Sequence, residues 1–460
     1  MAKHRCYAVE QPQTRFFDKS DRTRSAVVKL NESRHLRNAA GLHANDGITS
    51  LVFLMAMRWR VAILVSAAIA ISYLDRQSLP VAVKAIQQDI PLTNTQFGDL
   101  TSTFLLTYAL MYAGGGVLID RIGTRRGFLA IMIFWSIACA SHSLATGFTM
   151  LAVSRFLLGM GEGGGFPAAT KVIAEWFPVT ERSTAMGIVN AGTAVGAVIA
   201  PPAIAAILLH GSWRWVFVAC GAAGLSWAAW WSIVYRPPVP ERSISSPAGP
   251  QMRWSRLLTF RQVWGLAAAK FLTDAAWFFY ISWLPKYLYD ARHFDVKQVG
   301  AYAWVPYAAS GVGCLLGGWF SSALLRRGRS VDASRKLALG LSAAVMPAIV
   351  FVTRVPVDWA IVIFSLAFFG QQSWSTLVMI VPTDLFEQRL VASVAGLIGF
   401  GGAMGGLLMN LVAGRLLDAG FGYGTVFNIV GTLHVIAFGV ILITIPRIRP
   451  LLVEGVTRRL

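Results

Sequence analysis

The sequence predicts an all-α membrane protein with twelve transmembrane helices arranged as two pseudo-symmetric six-helix bundles. Its 460 residues are 55% hydrophobic and only 14% charged, whereas a soluble domain is about a quarter charged. The apolar residues also gather in runs of about twenty or more, the length a helix needs to cross a hydrocarbon layer of about 30 Å. These two observations largely exclude the soluble enzyme classes, although a chain of this length could bury a sizeable core.

The first element along the chain is a polar, basic tail at residues 1–54. It contains no apolar core of the kind that a secretory signal needs, so we do not expect it to be one. We expect the tail to be disordered, or to lie upstream of a true start at Met55 or Met57. We assign no function to it.

Charge-poor apolar segments then follow in two sets of six, separated by one polar stretch. The first set comprises residues 58–83, 98–119, 127–146, 148–174, 184–209 and 214–235. The second set comprises residues 262–288, 298–325, 336–353, 357–382, 390–415 and 422–446. The stretch between them begins Arg-Pro-Pro-Val-Pro-Glu-Arg and continues with Ser, Pro and Gly, a composition typical of a linker. The predicted domains are an N-terminal bundle, a linker, a C-terminal bundle and a tail, at residues 55–235, 236–261, 262–446 and 447–460.

Basic residues are distributed unevenly among the connecting loops, and their positions predict the orientation. The chain carries 41 Lys and Arg against 22 Asp and Glu, a net charge of 41 − 22 = +19. Most of the excess falls in alternate loops, in the linker and after the last span, which the positive-inside rule places in the cytoplasm. We therefore expect a bacterial inner-membrane protein with both termini cytoplasmic. We expect no nucleic-acid partner, because the basic residues form no clustered face.

The loop between the second and third spans carries a motif at 115–126, Gly-Gly-Val-Leu-Ile-Asp-Arg-Ile-Gly-Thr-Arg-Arg. Gly116 permits close approach of helices, and Asp120 at a helix end can pair with a nearby arginine or face a helix N-terminus. A degenerate copy, Gly-Gly-Trp-Phe-Ser-Ser-Ala-Leu-Leu-Arg-Arg-Gly, occurs at 317–328, the matching place in the second half. A repeated loop of this kind is typical of transporters built from internal repeats.

Three predicted spans contain ionisable residues, which are rare inside membranes and are functional candidates by default. They are Asp75 and Arg76 in the first span, Arg155 and Glu162 in the fourth, and Lys270 and Asp274 in the seventh. At about 1.5 Å per residue, Asp75 and Arg155 are predicted to lie at one depth, with Glu162 about 10 Å deeper on the face of Arg155. We expect a file of charges along a central cavity.

These charges suggest a chemistry. A guanidinium presents a planar fork that fits a substrate carboxylate and keeps its charge. A buried carboxylate beside it can give up that ion pair by taking a proton. We therefore expect substrate and protein carboxylates to compete for Arg76 and Arg155, so that proton binding is coupled to anion binding. The alternative is that these residues, and the i,i+4 neighbours Lys270 and Asp274, form structural ion pairs that brace the helices.

The four cysteines suggest no chemistry of their own. Cys139, Cys220 and Cys314 fall inside apolar spans, Cys6 lies in the tail, and they share no metal-ligand spacing. We expect them to be small apolar residues in packed helices. We recognise no phosphate-binding loop, metal cluster or nucleophile–base pair. The sequence therefore predicts no enzyme activity, no cofactor and no metal.

Several motifs resemble those of one transporter family. The loop at 115–126 resembles the signature loop of the major facilitator superfamily. The segments at 73–77 (Tyr-Leu-Asp-Arg-Gln), 155–167 and 175–182 resemble the anion:cation symporter branch of that superfamily. The segment at 270–277, Lys-Phe-Leu-Thr-Asp-Ala-Ala-Trp, is similar to the hexuronate transporters within that branch.

The resemblance implies roles for individual residues. Proton coupling is implied for Asp75 and Glu162. Substrate binding is implied for residues of six spans: Tyr73, Arg76, Tyr108, Arg155, Asn190, Lys270, Asp274, Trp277, Gln372, Ser373, Trp374 and Ser375. Gating is implied for the loop residues Gly116, Asp120, Arg121 and Arg125, with helix-end electrostatics as the alternative. Gln371, where the family often has histidine, and Thr193, where it often has glutamine, are expected to shift the substrate preference.

The implied function is proton-coupled symport of a hexuronate, such as galacturonate or glucuronate, by alternating access. We expect a monomer in the lipid bilayer that binds a small organic anion and protons. Two alternatives remain open. One is a proton-coupled transporter of another organic anion, such as an aldonate, an aldarate or an aromatic carboxylate. The other is a transport-fold protein that senses a ligand without moving it.

Overall fold

A computed structural model describes residues 44–177, 182–236, 257–386 and 388–451. All regular structure within these ranges is helical. Most of the predicted N-terminal tail and of the predicted linker lies outside the described residues. The packing described below concerns the described part of Val61–Leu460, which belongs to one compact unit.

The predicted spans coincide with fourteen α-helices in the described residues. The first six spans correspond to α1 (Ala44–Asp89), α2 (Asn94–Ile122), α3 (Thr124–Ser141), α4 (Phe148–Glu162), α5 (Gly165–Trp176), α6 (Arg182–His210) and α7 (Arg214–Val234). The last six correspond to α8 (Arg261–Arg292), α9 (Val296–Tyr302), α10 (Trp304–Arg326), α11 (Val331–Ala344), α12 (Val357–Leu385), α13 (Gln388–Asp418) and α14 (Gly422–Thr444). The prediction of an all-α chain from its apolar runs is confirmed.

Nine helical segments of the described residues are long and apolar enough to cross a membrane. The three predicted spans that fall short are α2, the pair α4 and α5, and α8. Helix α8 contains four charged residues within its apolar stretch, Lys270, Asp274, Lys286 and Asp290. Helix α4 ends after 15 residues. The charges in α8 and the break between α4 and α5 therefore account for two of the three predicted spans that fall short.

The sequence predicts one unbroken span at 148–174, and the structure breaks it between α4 and α5 at Gly163 and Gly164. The break lies where the chain approaches α2 closely. A Cβ atom at Gly163 would lie 2.5 Å from the carbonyl oxygen of Tyr108. A side chain larger than that of glycine would collide with α2 there, so the close approach depends on Gly163.

Prolines interrupt two further predicted spans. The span at 298–325 divides into α9 and α10 around Ala303, because Pro306 has no N–H to bond the carbonyl group one turn earlier. The span at 336–353 continues from α11 into a short 3₁₀ helix, Met346–Phe351, with a proline in its first turn. Both prolines lie near the start of a helix, the position where proline is tolerated best.

Helices of the two sequence halves pack against each other in the described part of the chain. Helix α2 packs against α13, and α6 packs against α9 and α10. Contacts between helix ends group the described connections on two sides of the bundle. The basic side holds residues 123, 327–330 and 445–451, and the opposite side holds residues 90–93, 211–213, 293–295 and 419–421.

The opposite side is closed by hydrogen bonds between the halves. The carboxylate of Asp418, at the end of α13, accepts the backbone N–H groups of Asn94 at 3.0 Å and Thr95 at 2.6 Å. These are orphan donors of the first turn of α2, so the carboxylate caps that helix and meets the positive end of its dipole. The Tyr289 hydroxyl of α8 donates to the carbonyl oxygen of Val81 in α1 at 2.8 Å.

Replacing Asp418 by asparagine is expected to loosen this closure. Loss of the charge at the start of α2 removes about 0.5–1 kcal/mol, which corresponds to a shift of about 2–5-fold toward conformations open on the opposite side. Spin labels at Pro91 and Phe421, in a background without Cys6 and Cys314, would report the population of longer distances across that side.

The matched control is Asp99→Asn. Asp99 lies at the same α2–α13 interface, but its carboxylate is 3.7 Å from the exposed guanidinium of Arg415, a contact expected to contribute little. An equal response of the two variants would show that Asp418 has no special part in the closure.

Candidate functional site

One turn of α1 and two positions of α4 carry the buried charged residues of the N-terminal half. Asp75 is 0% exposed, Arg76 8% and Gln77 0%. On α4, Arg155 is 3% exposed and Glu162 2%. Charges this deeply buried are costly unless they are paired, so the partners of each group determine what it can do.

Arg76 and Glu162 form a buried ion pair between α1 and α4. The Nε atom of Arg76 donates to Oε2 of Glu162 at 2.7 Å. Ser72, one turn earlier on α1, donates its hydroxyl to the same oxygen at 2.8 Å. The Nη2 atom of Arg76 and the Oε1 atom of Glu162 have no hydrogen-bond partner among the described residues. The pair therefore keeps one free donor and one free acceptor.

Three aromatic rings surround the guanidinium of Arg76. Its Cζ atom lies 4.5 Å from the ring centre of Tyr108, 4.8 Å from that of Tyr73 and 5.6 Å from that of Phe104. A cation over an aromatic face is attracted by the ring quadrupole, most strongly where water is excluded. The rings hold the guanidinium plane in place without occupying its remaining N–H groups.

Arg155 has no comparable partner. Its Nε and Nη2 atoms are buried and make no hydrogen bond to any described residue. Arg76 and Arg155 both line one cavity between the sequence halves. The other lining residues are Pro80 of α1, Thr101, Phe104 and Leu105 of α2, and Phe278, Ile281 and Ser282 of α8. Arg76 and Arg155 therefore border one cavity opposite α8, whose wall contributes the Ser282 hydroxyl group.

Asp75 is adjacent in sequence to Arg76 but has different neighbours. Neither of its carboxylate oxygens has a hydrogen-bond partner among the described residues. A carboxylate oxygen of Asp75 and the sulfur atoms of Cys139 in α3 and Cys220 in α7 all lie within 4.8 Å of one another. The two buried carboxylates therefore differ, because Glu162 is paired with an arginine and Asp75 has no such bond.

The charges of the C-terminal half pair with each other. The Nζ atom of Lys270 lies 2.6 Å from Oδ1 of Asp274 and donates to the Ser375 hydroxyl of α12 at 3.1 Å. Gly402 of α13 faces this pair, and a Cβ atom there would lie 2.2 Å from Oδ2 of Asp274. Trp277, two turns after Lys270, packs its ring edge-on against Phe368 of α12.

Other predicted binding residues of α12 point into helix interfaces. The hydroxyl groups of Ser373 and Ser342 lie 2.8 Å apart, and Trp374 is fully buried in an apolar cluster with α8 and α14. Gln371 contacts His434, and the adjacent Gln372 is half-buried. Of the α12 residues predicted for binding, Ser375 is the one joined to a buried charge.

The remaining predicted residues lie apart from this cavity or outside the description. Asn190 of α6 is exposed. Arg125 donates from Nη2 to the carbonyl oxygen of Ser232 at 2.8 Å, near the C-terminal end of α7, where a cation is favourable. The structure does not describe the surroundings of three further gating candidates, Gly116, Asp120 and Arg121.

Sequence reasoning missed three neighbours of the buried carboxylates. Ser72 could have been found, because it precedes Arg76 by four residues and so lies on the same helix face. Cys139 and Cys220 could not, because their proximity to Asp75 depends on how α1, α3 and α7 pack. Their assignment as small apolar residues overlooked the carboxylate between them.

Comparison with known proteins gives one family. Residues 65–410 match the Major Facilitator Superfamily. The hexuronate transporter of Escherichia coli strain K12 is 29% identical over 393 residues, 81% of this chain and 90% of its own length. The galacturonate transporter of Dickeya chrysanthemi is 31% identical over 307 residues, covering 63% and 89%. The D-galactonate transporter of Escherichia coli O6:H1 is 29% identical over 395 residues, covering 80% and 90%.

A solved structure also has this architecture. The crystal structure of a bacterial homolog to the human lysosomal transporter Spinster, in an inward-facing and occupied conformation, matches with a TM-score of 0.71. The match covers 84% of this chain and 97% of that chain at 21% sequence identity. The likeness shows that the two chains share a fold.

Gly402→Ala is expected to disturb the Lys270–Asp274 pair. The added methyl group would overlap the Asp274 carboxylate, and overpacking of this kind costs about 1–3 kcal/mol. The melting temperature of the purified protein in detergent should fall.

Gly396→Ala, on the same helix, is the matched control, because no heavy atom lies within 4 Å of a Cβ at that position. It should leave the melting temperature unchanged or raise it, since alanine is favoured over glycine in helices by about 0.5–1 kcal/mol. Equal melting temperatures for the two variants would contradict the close contact at Gly402.

Proposed function

The chain belongs to the Major Facilitator Superfamily, and from this membership we propose that it carries a hexuronate, such as galacturonate or glucuronate, together with protons by alternating access. The superfamily consists of membrane transporters, so the expectation of a multi-pass transporter rather than an enzyme is confirmed. The relatives named as hexuronate and galacturonate transporters support the choice of substrate, and the geometry of the site supports an anionic substrate and coupling to protons.

The cavity shared by Arg76 and Arg155 is the observation that carries the proposal. Three guanidinium nitrogens of these two residues are buried without a hydrogen-bond partner among the described residues, and both residues line the cavity. A buried unpaired donor on a charged group is costly. A carboxylate accepts hydrogen bonds from two N–H groups at once and would satisfy these donors in the geometry that arginine favours. An anionic substrate thus completes the site.

The balance of buried charge supports coupling to protons. The charges of Arg76 and Glu162 cancel, and so do those of Lys270 and Asp274. Arg155 and the Asp75 carboxylate carry one charge of each sign. Adding a monoanion alone would leave a net negative charge in a region of low dielectric constant, which is unfavourable. A proton on either Glu162 or Asp75 restores neutrality. We propose these two carboxylates as the proton carriers, with Glu162 releasing Arg76 as it is protonated.

The proposal also covers the orientation of the protein in the membrane and its oligomeric state. We propose that the protein is a monomer in a bacterial inner membrane, with both termini cytoplasmic. Basic residues of the described loops support this orientation under the positive-inside rule; on the basic side they include Arg125, Arg126, Arg326, Arg327, Arg329, Arg447 and Arg449. The opposite side, where Asp418 caps α2, would then face outward, and the described conformation would be closed to the exterior.

An aldonate is the second candidate substrate, because one relative is named a D-galactonate transporter. Aldonates and hexuronates both carry one carboxylate on a polyhydroxylated chain, so both satisfy the guanidinium donors. A competition panel against labelled galacturonate would separate them. Counterflow of labelled galacturonate also tests the sensor alternative, since a sensor binds its ligand but does not exchange it across the membrane.

Arg155→Ala is expected to weaken substrate binding about 30-fold or more, since truncating one partner of a buried charge pair costs about 2 kcal/mol or more. Binding of galacturonate to the purified protein by calorimetry would measure the loss. Lys84→Ala is the control, because Lys84 is an exposed cation on α1 and should not affect binding. Equal affinities in the two variants would remove Arg155 from the site.

Glu162→Gln is expected to separate transport from the proton gradient. The amide can still accept the hydrogen bond of Arg76, but it carries no titratable proton. In proteoliposomes, galacturonate uptake should no longer respond to an inward proton gradient, whereas counterflow should persist. Asp75→Asn is expected to weaken the same response. Gradient-driven uptake that is unchanged in both variants would contradict the assignment of the two carboxylates.

A further inference from the structure

Three side chains from three helices meet at a point that the binding of substrate does not use. Asp75 of α1, Cys139 of α3 and Cys220 of α7 each direct one ligand atom toward the other two, all within 4.8 Å. Their exposed fractions are 0%, 0% and 2%. Both Asp75 oxygens lack a hydrogen-bond partner among the described residues. A wholly buried carboxylate in this state requires a counter-charge or a proton.

The spacing of the three atoms fits a metal ion. Three atoms no more than 4.8 Å apart enclose a point that is within about 2.8 Å of each, and zinc lies about 2.3 Å from sulfur and 2.0–2.2 Å from a carboxylate oxygen. Movements of at most about 0.5 Å for each sulfur atom and about 0.6–0.8 Å for the carboxylate oxygen would bring all three atoms into bonding distance. We propose that Asp75, Cys139 and Cys220 form a binding site for a soft divalent metal ion such as Zn²⁺ or Cd²⁺.

The donor set determines which ions fit. Thiolates favour zinc and other soft ions, whereas Mg²⁺ and Ca²⁺ require oxygen ligands throughout. Three protein ligands leave a fourth position of a tetrahedral ion for water. A site with two sulfur donors and one carboxylate therefore selects against the abundant hard cations.

Binding of such an ion would leave the net charge of the buried site unchanged. The ion displaces the two thiol protons, so a charge of +2 enters as two protons leave, and the net charge of the buried region is unchanged. Arg155 interacts electrostatically with Asp75, Cys139 and Cys220, and its positive charge offsets the anionic ligand set. Glu162 also acts on Asp75. His142 donates from Nδ1 to the backbone carbonyl oxygens of Ala138 and Cys139 in α3, each 3.0 Å away.

A bound ion would act on the transport cycle through Asp75. All three ligands belong to the N-terminal half, so the ion would join α1, α3 and α7 without linking the halves. It would hold the Asp75 carboxylate and exclude a proton from it. Inhibition of proton-driven uptake follows, and this consequence rests on the proposed function, whereas the metal site itself does not.

Cadmium binding to the purified full-length chain tests the site directly. Titration with Cd²⁺ alone should produce sulfur-to-cadmium charge-transfer absorption that saturates at one ion per chain. In Cys139→Ser and in Cys220→Ser the affinity should fall more than about tenfold, since losing even an outer-shell partner of a metal costs about 10–100-fold. Cys314→Ser, at an exposed thiol, should bind as the parent does.

Cys139→Ala and Cys220→Ala provide a second pair of variants for the cadmium titration. A melting temperature close to that of the parent verifies that each variant is folded. Absence of the absorption in the parent, or its persistence in folded Cys139 and Cys220 variants, would overturn the site.

Transport assays separate the site from its consequence. Zn²⁺ should inhibit proton-driven galacturonate uptake by the parent and by Cys314→Ser, and should not inhibit the Cys139→Ser/Cys220→Ser double variant. Cadmium absorption without inhibition by Zn²⁺ would keep the site and reject its action on Asp75. Cadmium absorption in a protein that shows neither uptake nor counterflow would keep the site and refute the proposed transport function.

Discussion

The buried ion pair between Arg76 and Glu162 is the interaction on which the rest of the candidate site depends. It joins α1 to α4 at 2.7 Å, and each charge would be left uncompensated in the bundle interior without the other, at a cost of about 3–5 kcal/mol. The aromatic rings around Arg76 fix the guanidinium plane while leaving Nη2 free. The pair is therefore both a structural constraint and a donor that an anion can recruit.

The two halves of the site differ in how their charges are satisfied. Lys270 is bonded to Asp274 and Ser375, so the C-terminal half presents a neutral pair, whereas Arg155 of the N-terminal half has free donors. Under the proposed function, an anion that enters the cavity would therefore be drawn toward the N-terminal half. The closure at Asp418 joins the halves through exposed hydrogen bonds, and such bonds could be broken at modest cost in the proposed alternating-access cycle.

Local sequence patterns predict the helices well and the side-chain neighbours only in part. Apolar runs and the positions of charges predict the spans and single out Asp75, Arg155 and Glu162, because burying a charge is costly wherever it occurs. Helix spacing also predicts that Lys270 and Asp274 can pair. The break at Gly163 and Gly164 was missed, because glycine is also frequent inside continuous transmembrane helices. The meeting of Asp75 with Cys139 and Cys220 was missed as well, because three helices distant in sequence must pack to create it.

The central claim is that a proton enters the buried site together with the substrate anion. Calorimetry of galacturonate binding in buffers of different ionisation enthalpy counts the protons taken up per anion bound. We expect the parent to take up about one proton per anion at a pH where both carboxylates are ionised. Glu162→Gln should take up fewer protons per anion. Binding of the anion with no proton uptake by the parent would contradict it.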